Sequence, residues 1–582
     1  MKKFIFTITV LASFALQAWA YDFQSGNLLY TIISTEPPCV SLDGHIDGTA
    51  AQGELIIPET VEYGDLVYTV SEVSNRAFFQ CEGLNGVLVI PNTVKKIGVG
   101  AFGYCHGFTG NLQIPNSVTT IAVEAFVACD GFTGQLVIPN SVVSLGVEGG
   151  SGGVQYLGSF QGCTGLSGLT LSNSTSVIGE YCFAECNGLV GDLVIPEGVE
   201  ELWQYAFWEC ERLSGVVFPS TFRVIGARAF QQCIGLKRLV IPETISEIYD
   251  NAFERCAVIE EIDLRCLAVW PGWNVFNKCT ALSTVSLPEG MTKTGRLSFS
   301  ECTGLTELEL PESLQEIERG AFYECTGLSG DLKIPDRVER IELSAFYKSG
   351  YARVILGESL VYLSESAFIE MPFLQTLVLK PHTPPLLELC NYEEHHIPRD
   401  ILIIVPCGTL EAYQNADGWS EFTNIHEGIT DVSIVVSDDE TAGRVSILKE
   451  ALCEDRSVQV EAVPNEGYMF LNWEINGEVV SRENPFVFEL EEDTELVAFF
   501  SGVGLEEGQT LFSIYPNPAT DFVRIEGNVF TEVQIYNTLG QLVKKVQNTN
   551  AISVNDMTNG IYLLHISDTD GRNQIKRITV IK

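Results

Sequence analysis

A phenylalanine recurs about every 23 residues through most of this chain, and no other feature constrains the fold as strongly. The thirteen positions are Phe78, Phe102, Phe126, Phe160, Phe183, Phe207, Phe230, Phe253, Phe276, Phe299, Phe322, Phe346 and Phe368. In eleven copies a cysteine stands three residues after the phenylalanine, from Cys81 to Cys325. A unit of about 23 residues cannot bury its own apolar side, so the copies must stack into a solenoid.

A single copy shows how the unit is built. It reads Leu193-Val194-Ile195-Pro196, then Val199 and Leu202, and finally Ala206-Phe207 and Cys210. The first piece alternates sides as a short strand does, and proline ends it because proline cannot donate to a ladder. The second piece is a further short extended segment, and the last is a tight turn that buries its phenylalanine. Strands at the same phase of each copy pair in parallel, which predicts a mainly β solenoid of ~13 repeats with a parallel sheet.

This pattern resembles the leucine-rich repeats of the BspA-like (Treponema-type) family over residues 54–380. The resemblance implies a leucine-rich-repeat solenoid, and members of the family are implicated in binding host extracellular-matrix proteins and in bacterial co-aggregation. Apolar stretches before and after the array predict caps, with covering strands over residues 21–53 and a closing strand and helix over residues 381–427. Such caps protect the open ends of the sheet from aggregation.

The cysteine ladder predicts buried free thiols rather than disulfides. Equivalent positions of a stacked array lie ~4.8 Å apart with parallel side chains, whereas the Cβ atoms of a disulfide approach to ~3.8 Å. Ser349 and Met371 replace cysteine in the last two copies, so filling space is expected to matter more than bonding. Cys390 and Cys407, in the closing segment, are the better disulfide candidates, and the sequence leaves open whether they pair.

Two small β domains are predicted after the array. Residues 428–500 lack the repeat but carry the order Pro464, Gly467-Tyr468, Phe470, Trp473, then Asn476-Gly477 and Ala498-Phe499. This order resembles the internalin B-repeat-like modules of bacterial surface proteins, which act as spacers or accessory adhesion units. Residues 501–512 read as a linker, and residues 513–582 hold alternating segments typical of a β-sandwich.

Both ends of the chain carry signals for export. Lys2 and Lys3 precede an apolar run too short to span a bilayer, and Ala18-Trp19-Ala20 before Tyr21 predicts a signal peptide over residues 1–20 with cleavage between Ala20 and Tyr21. The sorting motif consists of Tyr515, Pro516, Asn517, Pro518, Gly540, Gly560 and Tyr562. It resembles the type A sorting domain of the type IX secretion system of Bacteroidota. That resemblance implies passage through the periplasm to the cell surface or medium and contact with the secretion machinery.

Charge and motif content exclude several function classes. The chain carries a formal charge of −42, of which residues 503–582 hold only −1. An acidic body of this kind repels nucleic acid and anionic lipid. The sequence has no Gly-x-Ser-x-Gly, His-Glu-x-x-His or phosphate-loop motif, so we predict no enzyme activity, cofactor or metal site.

The predicted functional feature is a surface. The residue between leucine and isoleucine in each strand faces away from the core, and we name this row of residues the outer row. It comprises Val89, Gln113, Val137, Thr170, Val194, Val217, Val240, Asp263, Ser286, Glu309, Lys333, Ile355 and Val378. Valine there satisfies strand propensity, or it forms an apolar groove for an extended partner segment. The tryptophans of nearby copies are either added anchors or core residues: Trp203, Trp208, Trp270 and Trp273.

These features together predict a secreted or surface leucine-rich-repeat protein that binds a host or bacterial protein. The solenoid would present the binding face, the middle module would space it, and the last domain would deliver it. The alternative is a surface protein that captures glycans or peptides for nutrient uptake. No segment other than the signal approaches the length of a transmembrane helix.

Overall fold

The computed structural model describes residues 21–147, 157–267, 272–389, 397–429, 433–436, 442–465, 467–475, 477–489, 495–502, 512–515, 519–527, 530–537, 542–547, 549–568 and 573–581. Strands hold 39% of the chain and helices 4%, and the array is a parallel β-solenoid of about 15 turns. The mainly β solenoid is therefore confirmed. Ala20, on one side of the predicted cleavage site, and Trp270 lie outside the described residues, and Tyr21 is exposed.

The first extended piece of each copy, which proline follows in most copies, forms what we call the first ladder, and its register is parallel, with Val194 beside Val217. Proline supplies no donor, so in those copies the ladder ends at the proline and the chain turns. The strands of the first ladder are Gly53–Ile56, Leu84–Val89, Gly134–Val137, Leu166–Thr170, Gly191–Val194, Leu213–Val217, Arg238–Leu239, Glu261–Asp263, Thr284–Ser286, Ser329–Lys333, Gly350–Leu356, Thr376–Leu379, Leu402–Pro406 and Ile425–Gly428.

The next extended piece of each copy forms a second ladder of shorter parallel strands, with Leu202 beside Ile225. Its strands are Lys96–Ile97, Thr120–Ile121, Ser144–Leu145, Val177–Ile178, Glu201–Leu202, Val224–Ile225, Glu247–Ile248, Glu316–Ile317, Arg340–Ile341, Tyr362–Ser364 and Leu386–Glu388. The N-terminal strands are Phe23–Ser25, Leu28–Thr35, Pro38–His45, Thr60–Tyr63 and Leu66–Val73. The helical segments are Gly48–Ala50, Glu365–Phe368, Leu410–Asn415 and Trp419–Glu421.

The turn around each phenylalanine locks one copy to the next. Phe207 is fully buried, and the residues two before and two after it, Tyr205 and Glu209, have φ of 59° and 56°. Residues other than glycine rarely adopt this left-handed conformation. Here it is held by the following copy, whose carbonyl oxygens accept hydrogen bonds from the N–H groups of Tyr205, Phe207 and Glu209 at 2.9 Å. From Phe78 to Phe322 neighbouring rings stack with centroids 5.2–5.7 Å apart.

The ladder cysteines are free and buried, as predicted. They do more than fill space, because each thiol from Cys105 to Cys325 donates a hydrogen bond to the carbonyl oxygen of the phenylalanine one copy earlier. The Sγ to oxygen distance is 3.1 Å for Cys210 and Phe183. The same carbonyl oxygen also accepts the N–H of the cysteine in its own copy, as from Cys186 to Phe183 at 3.4 Å, so the thiol adds a second hydrogen bond that joins neighbouring copies.

The chain divides into two compact units. The first extends to Ser313 and includes Ile317–Gly327, and the second comprises Leu314–Glu316 and the chain from Leu328. After the solenoid, two groups of strands have their own buried cores, one around Trp473 and one around Leu564. The strands of the first group are Ser433–Val436, Gly443–Lys449, Ser457–Pro464, Tyr468–Ile475, Glu478–Ser481, Phe486–Glu489 and Glu495–Gly502. Those of the second are Phe512–Tyr515, Phe522–Gly527, Phe530–Asn537, Leu542–Gln547, Ala551–Ser553, Gly560–Asp568 and Asn573–Val580.

Cys407 forms a disulfide with Cys453, so the pairing with Cys390 considered from the sequence is wrong. Cys390 itself lies outside the described residues. Cys453 belongs to the module that follows the array, and it reaches Cys407 because the chain there returns to the last rungs of the solenoid. The N–H of Cys453 donates to the carbonyl oxygen of Glu427 at 3.2 Å.

The same module supplies a buried ion pair to the first ladder. Arg353 and Glu450 are 7% and 8% exposed, and their side chains form two hydrogen bonds, Nε to Oε1 at 2.5 Å and Nη2 to Oε2 at 3.1 Å. Near this pair the outer row is no longer outward: Val378 is only 1% exposed, contrary to the sequence prediction. Residues 450–453 approach these rungs, which explains why the exposed row ends there.

None of the helices in the described part of the chain has the length and hydrophobicity required to cross a bilayer.

Candidate partner-binding surface

All eight outer-row residues from Val89 to Asp263 face solvent, and the paired strands of the first ladder hold them in line. The buried residues on either side of each one explain this orientation, since successive side chains of a strand point to opposite faces. Leu193 and Ile195 are 3% and 2% exposed, whereas Val194 between them is 57% exposed. The structure thus brings the predicted surface residues into one row.

The apolar part of the row is continuous over three copies. Val194, Val217 and Val240 are 57%, 50% and 76% exposed. They occupy the same position in neighbouring copies, so their spacing is one rung, ~4.8 Å. Exposed branched side chains at this spacing offer a flat apolar strip to an extended segment.

A charged pair borders this strip. Arg238 Nη2 lies 2.5 Å from Asp192 Oδ1 and 2.7 Å from Asp192 Oδ2, although the two residues are two copies apart. The copy between them has Gly215 in that column, so no side chain blocks the contact. Hydrogen bonds from Arg238 and Ser214 lower the pKa of Asp192.

The apolar strip ends in a polar groove of about 1060 Å³. Three copies line it, with Val240 and Glu243 from the first, Asp263 and Arg265 from the second and Ser286 from the third. Arg265 stands where most copies have proline, and its Nη2 lies 2.6 Å from Asp263 Oδ2. The hydrogen bonds from Arg265 lower the pKa of Asp263, so this carboxylate stays ionised at neutral pH.

Cys266 also lines the groove and is only half-buried, unlike the cysteines of the ladder. Burial raises the pKa of its thiol, so it is a weak nucleophile at neutral pH. Within the described ranges no three His, Cys, Asp or Glu side chains converge as metal ligands. The groove is lined by both apolar and charged side chains, so it offers apolar and ionic contacts.

The predicted tryptophans do not join this surface. Trp203 and Trp208 are half-buried, and Trp273 is 52% exposed. Trp208 makes an edge-on contact with Tyr205 at 5.9 Å between centroids, and Arg296 lies over the Trp273 ring at 5.4 Å. Trp203 and Trp208 follow a strand of the second ladder, and none of the three tryptophans lines the groove.

Four residues that border the strip or line the groove are not predicted from the sequence as part of the binding surface: Asp192, Arg238, Arg265 and Cys266. The replacement of proline by Arg265 was a visible signal, since it interrupts the most regular part of the repeat. The Asp192–Arg238 contact gave no local signal, because it depends on the register of three copies.

The sorting motif is described in part. Tyr515 is 40% exposed at the end of a strand. Tyr562 is buried, and its hydroxyl donates to the carbonyl oxygen of Thr558 at 2.9 Å. Gly560 begins a strand, while Pro516, Asn517, Pro518 and Gly540 lie outside the described residues.

Three family models match the chain. The BspA type leucine-rich repeat region matches residues 64–148, 156–267 and 272–385 in six copies. The secretion system C-terminal sorting domain matches residues 513–582, and the divergent InlB B-repeat domain matches residues 435–504. A search of curated proteins found no match.

Solved structures with the same repeats also match. A leucine-rich repeat protein from Bacteroides ovatus ATCC 8483 is 23% identical with a TM-score of 0.52, covering 64% of this chain and all of that one. A leucine rich cell surface protein from Faecalibacterium prausnitzii A2-165 is 19% identical with a TM-score of 0.35, covering 64% and 95%. The leucine-rich repeat protein of T. pallidum is 20% identical with a TM-score of 0.26, covering 45% and 90%.

The three family models match the repeat region and the two domains that follow it. The Bacteroides structure supports the fold alone, since its identity is below 25%. The repeat model, in contrast, covers more than half of the 582 residues. The sorting domain indicates export to the cell surface or medium. The chain is a leucine-rich repeat surface protein and belongs to the BspA-type family.

Proposed function

We propose that this protein binds an extended segment of another protein along the outer row of its first ladder. The single observation that carries the proposal is the strip of Val194, Val217 and Val240, each at least half exposed in one column. A solvent-facing strand position tolerates polar residues, so three adjacent valines there favour contact with a partner.

The charged residues of the neighbouring groove indicate which kind of partner segment can bind there. Arg265 pairs with Asp263, whereas Glu243 adds acidic character that a basic residue of the partner can neutralise. The partner segment is therefore expected to carry apolar residues over the valines and a basic residue over the groove. The acidic body of the protein favours the same choice, because it steers cationic surfaces toward the solenoid.

The place of action follows from the two ends of the chain. We propose that the signal peptide directs it to the periplasm and that residues 513–582 engage the type IX machinery. Partners are then host extracellular-matrix proteins or surface proteins of other bacteria. A binding role without chemistry agrees with the family, whose repeat proteins are typically non-enzymatic.

The test compares the chain from Tyr21 with a variant carrying Val194→Asp, Val217→Asp and Val240→Asp. Binding to immobilised fibronectin, laminin and collagen and to intact bacterial cells is measured by biolayer interferometry and co-aggregation. The three charges should remove binding, because they place carboxylates where apolar contact is required.

The matched control carries aspartate at Val143, Val361 and Val479, which are 59%, 58% and 53% exposed away from the outer row. It should bind as the unchanged protein does. Equal binding by the control and the outer-row variant, with both folded by circular dichroism, would refute the proposal.

A further inference from the structure

One column of the solenoid alternates glycine with large aromatic residues over five rungs. We call it the aromatic column, and it reads Gly179, Trp203, Gly226, Tyr249 and Gly272. The first four members directly follow strands of the second ladder, and the N–H of Gly272 bonds to the carbonyl oxygen of Ile248 at 2.8 Å. The N–H groups of its members bond to carbonyl oxygens of the preceding copies, as from Trp203 to Ile178 at 3.0 Å and from Tyr249 to Ile225 at 2.9 Å. The five positions are therefore in register.

Close packing of the backbone explains why glycine occupies the positions between the rings. A Cβ at Gly226 would lie 2.6 Å from the carbonyl oxygen of Leu202, and one at Gly179 would lie 2.1 Å from that of Gly146. The glycine positions therefore cannot accept side chains. As a result each aromatic ring has an empty rung on both sides, and the two rings are separated by two rungs, ~10 Å.

The two rings are held in the same way. The Trp203 indole N–H donates to Glu201 at 3.3 Å, and the Tyr249 hydroxyl donates to Glu247. In both cases the acceptor precedes the ring by two residues. Trp203 is half-buried and Tyr249 is 48% exposed, and neither ring stacks on another aromatic ring among the described residues.

The polar edge of each ring is thus bound to a carboxylate while apolar ring surface stays available. Such a surface suits the C–H face of a pyranose ring, and the adjoining carboxylates accept hydrogen bonds from sugar hydroxyl groups. In the part of the chain that the structure describes, each of these carboxylates uses only one oxygen for the ring. The Glu247 hydrogen bond, with a smaller effect of Glu201, raises the pKa of Tyr249, so the phenol stays neutral.

Charge decides which sugars fit. Glu180, Glu201 and Glu247 border the aromatic column, and their negative potential disfavours sulfated or sialylated chains. We propose that the aromatic column is a binding site for a neutral, extended oligosaccharide, with Trp203 and Tyr249 contacting sugar rings one disaccharide unit apart. This site is separate from the outer row, so the protein has one surface for protein and another for glycan.

The test is isothermal titration calorimetry of the chain from Tyr21 with cellohexaose, xylohexaose, mannohexaose and chitohexaose as neutral probes and heparin hexasaccharide as the anionic probe. At least one neutral hexasaccharide should bind and the heparin fragment should not. Trp203→Ala and Tyr249→Ala should each weaken that binding by roughly tenfold or more, because each removes one ring contact.

Three controls separate the ring contacts from folding and from the outer row. Tyr249→Phe keeps the ring and should retain most of the affinity. Phe373→Ala removes a 62% exposed aromatic residue outside the aromatic column and should have no effect. The outer-row variant should bind sugar normally. Absence of binding to all neutral probes, or binding unaffected by both alanine variants, would overturn the proposal.

Discussion

The thiol ladder gives the sharpest quantitative prediction about the array. Burial raises the pKa of Cys105, Cys163, Cys210 and Cys302 from 9.0 to about 12. At pH 8 a thiol with a pKa of 9 is ~10% thiolate, whereas one with a pKa of 12 is ~0.01% thiolate. Since the thiolate is the form that reacts, iodoacetamide should label these cysteines ~1000-fold more slowly in the folded protein than in urea.

The assay is peptide-level mass spectrometry after timed labelling at pH 8, with and without urea. Cys39 and Cys266 are only half-buried, so they should be the first of the described free cysteines to react. Cys210→Ser should remove one peptide signal and leave the others unchanged. If the ladder cysteines react in the folded protein within tenfold of their rate in urea, the claim that these thiols are buried in the core of the solenoid is wrong.

The sign of the pH dependence follows from the same shift. An unfolded thiol loses its proton near pH 9, whereas a folded ladder thiol keeps it to about pH 12. The contribution of the buried, protonated thiol to the free energy of unfolding is therefore complete below pH 9, and it is lost as the pH rises toward 12. Between those two pH values, each ladder thiol should lower the free energy of unfolding by ~1.4 kcal/mol for each unit by which the pH rises.

Further predictions concern packing and the connection to the module. Phe230→Ala removes a fully buried ring that stacks on Phe207 and Phe253, so urea denaturation should show a loss of ~3–5 kcal/mol; an unchanged midpoint would contradict the stack. Glu450→Gln removes one of the two carboxylates that contact the buried Arg353 and leaves Asp331, whose Oδ2 lies 3.3 Å from Arg353 Nη1. Hydrogen exchange around Arg353 should rise to match a loss smaller than the ~3–5 kcal/mol expected for a buried charge with no countercharge. Reducing the disulfide that closes a separation of 46 residues should lower the free energy of unfolding by ~4 kcal/mol and expose the module to limited proteolysis; unchanged stability and proteolysis would contradict this.

Much of the fold could be predicted because every copy contains the same short pattern of buried and exposed residues. The alternation in Leu193-Val194-Ile195-Pro196 sets which residue is buried and which is exposed, and the structure confirms that orientation for the outer row as far as Asp263. Phe207 and its equivalents were predicted to plug the core, and they do so. A period of 23 residues leaves few alternatives, since each copy must bury its apolar side on the next.

The remaining features depend on contacts between distant residues. No local pattern pairs Cys407 with Cys453 or Arg353 with Glu450, because both contacts require the chain to return from the following module. Burial of Val378 has the same origin, since its strand position alone predicts exposure. The thiol to carbonyl hydrogen bonds were missed because they need the exact stagger between copies.

The aromatic column shows how register turns scattered residues into a surface. Trp203 and Tyr249 are 46 positions apart in the sequence. Only the parallel pairing of the second ladder places them in one line with glycines between them. The sequence alone does not indicate Tyr249, because its alignment with Trp203 appears only in the register of the second ladder.

Site-specific photo-cross-linking tests the central claim most directly. A benzophenone amino acid replaces Val217 on the outer row or Val143 away from it, both exposed valines, and the protein is irradiated with a bound partner. We predict a covalent adduct from position 217 and none from position 143. Equal adducts at both positions, or an adduct only at 143, would show that the partner binds elsewhere.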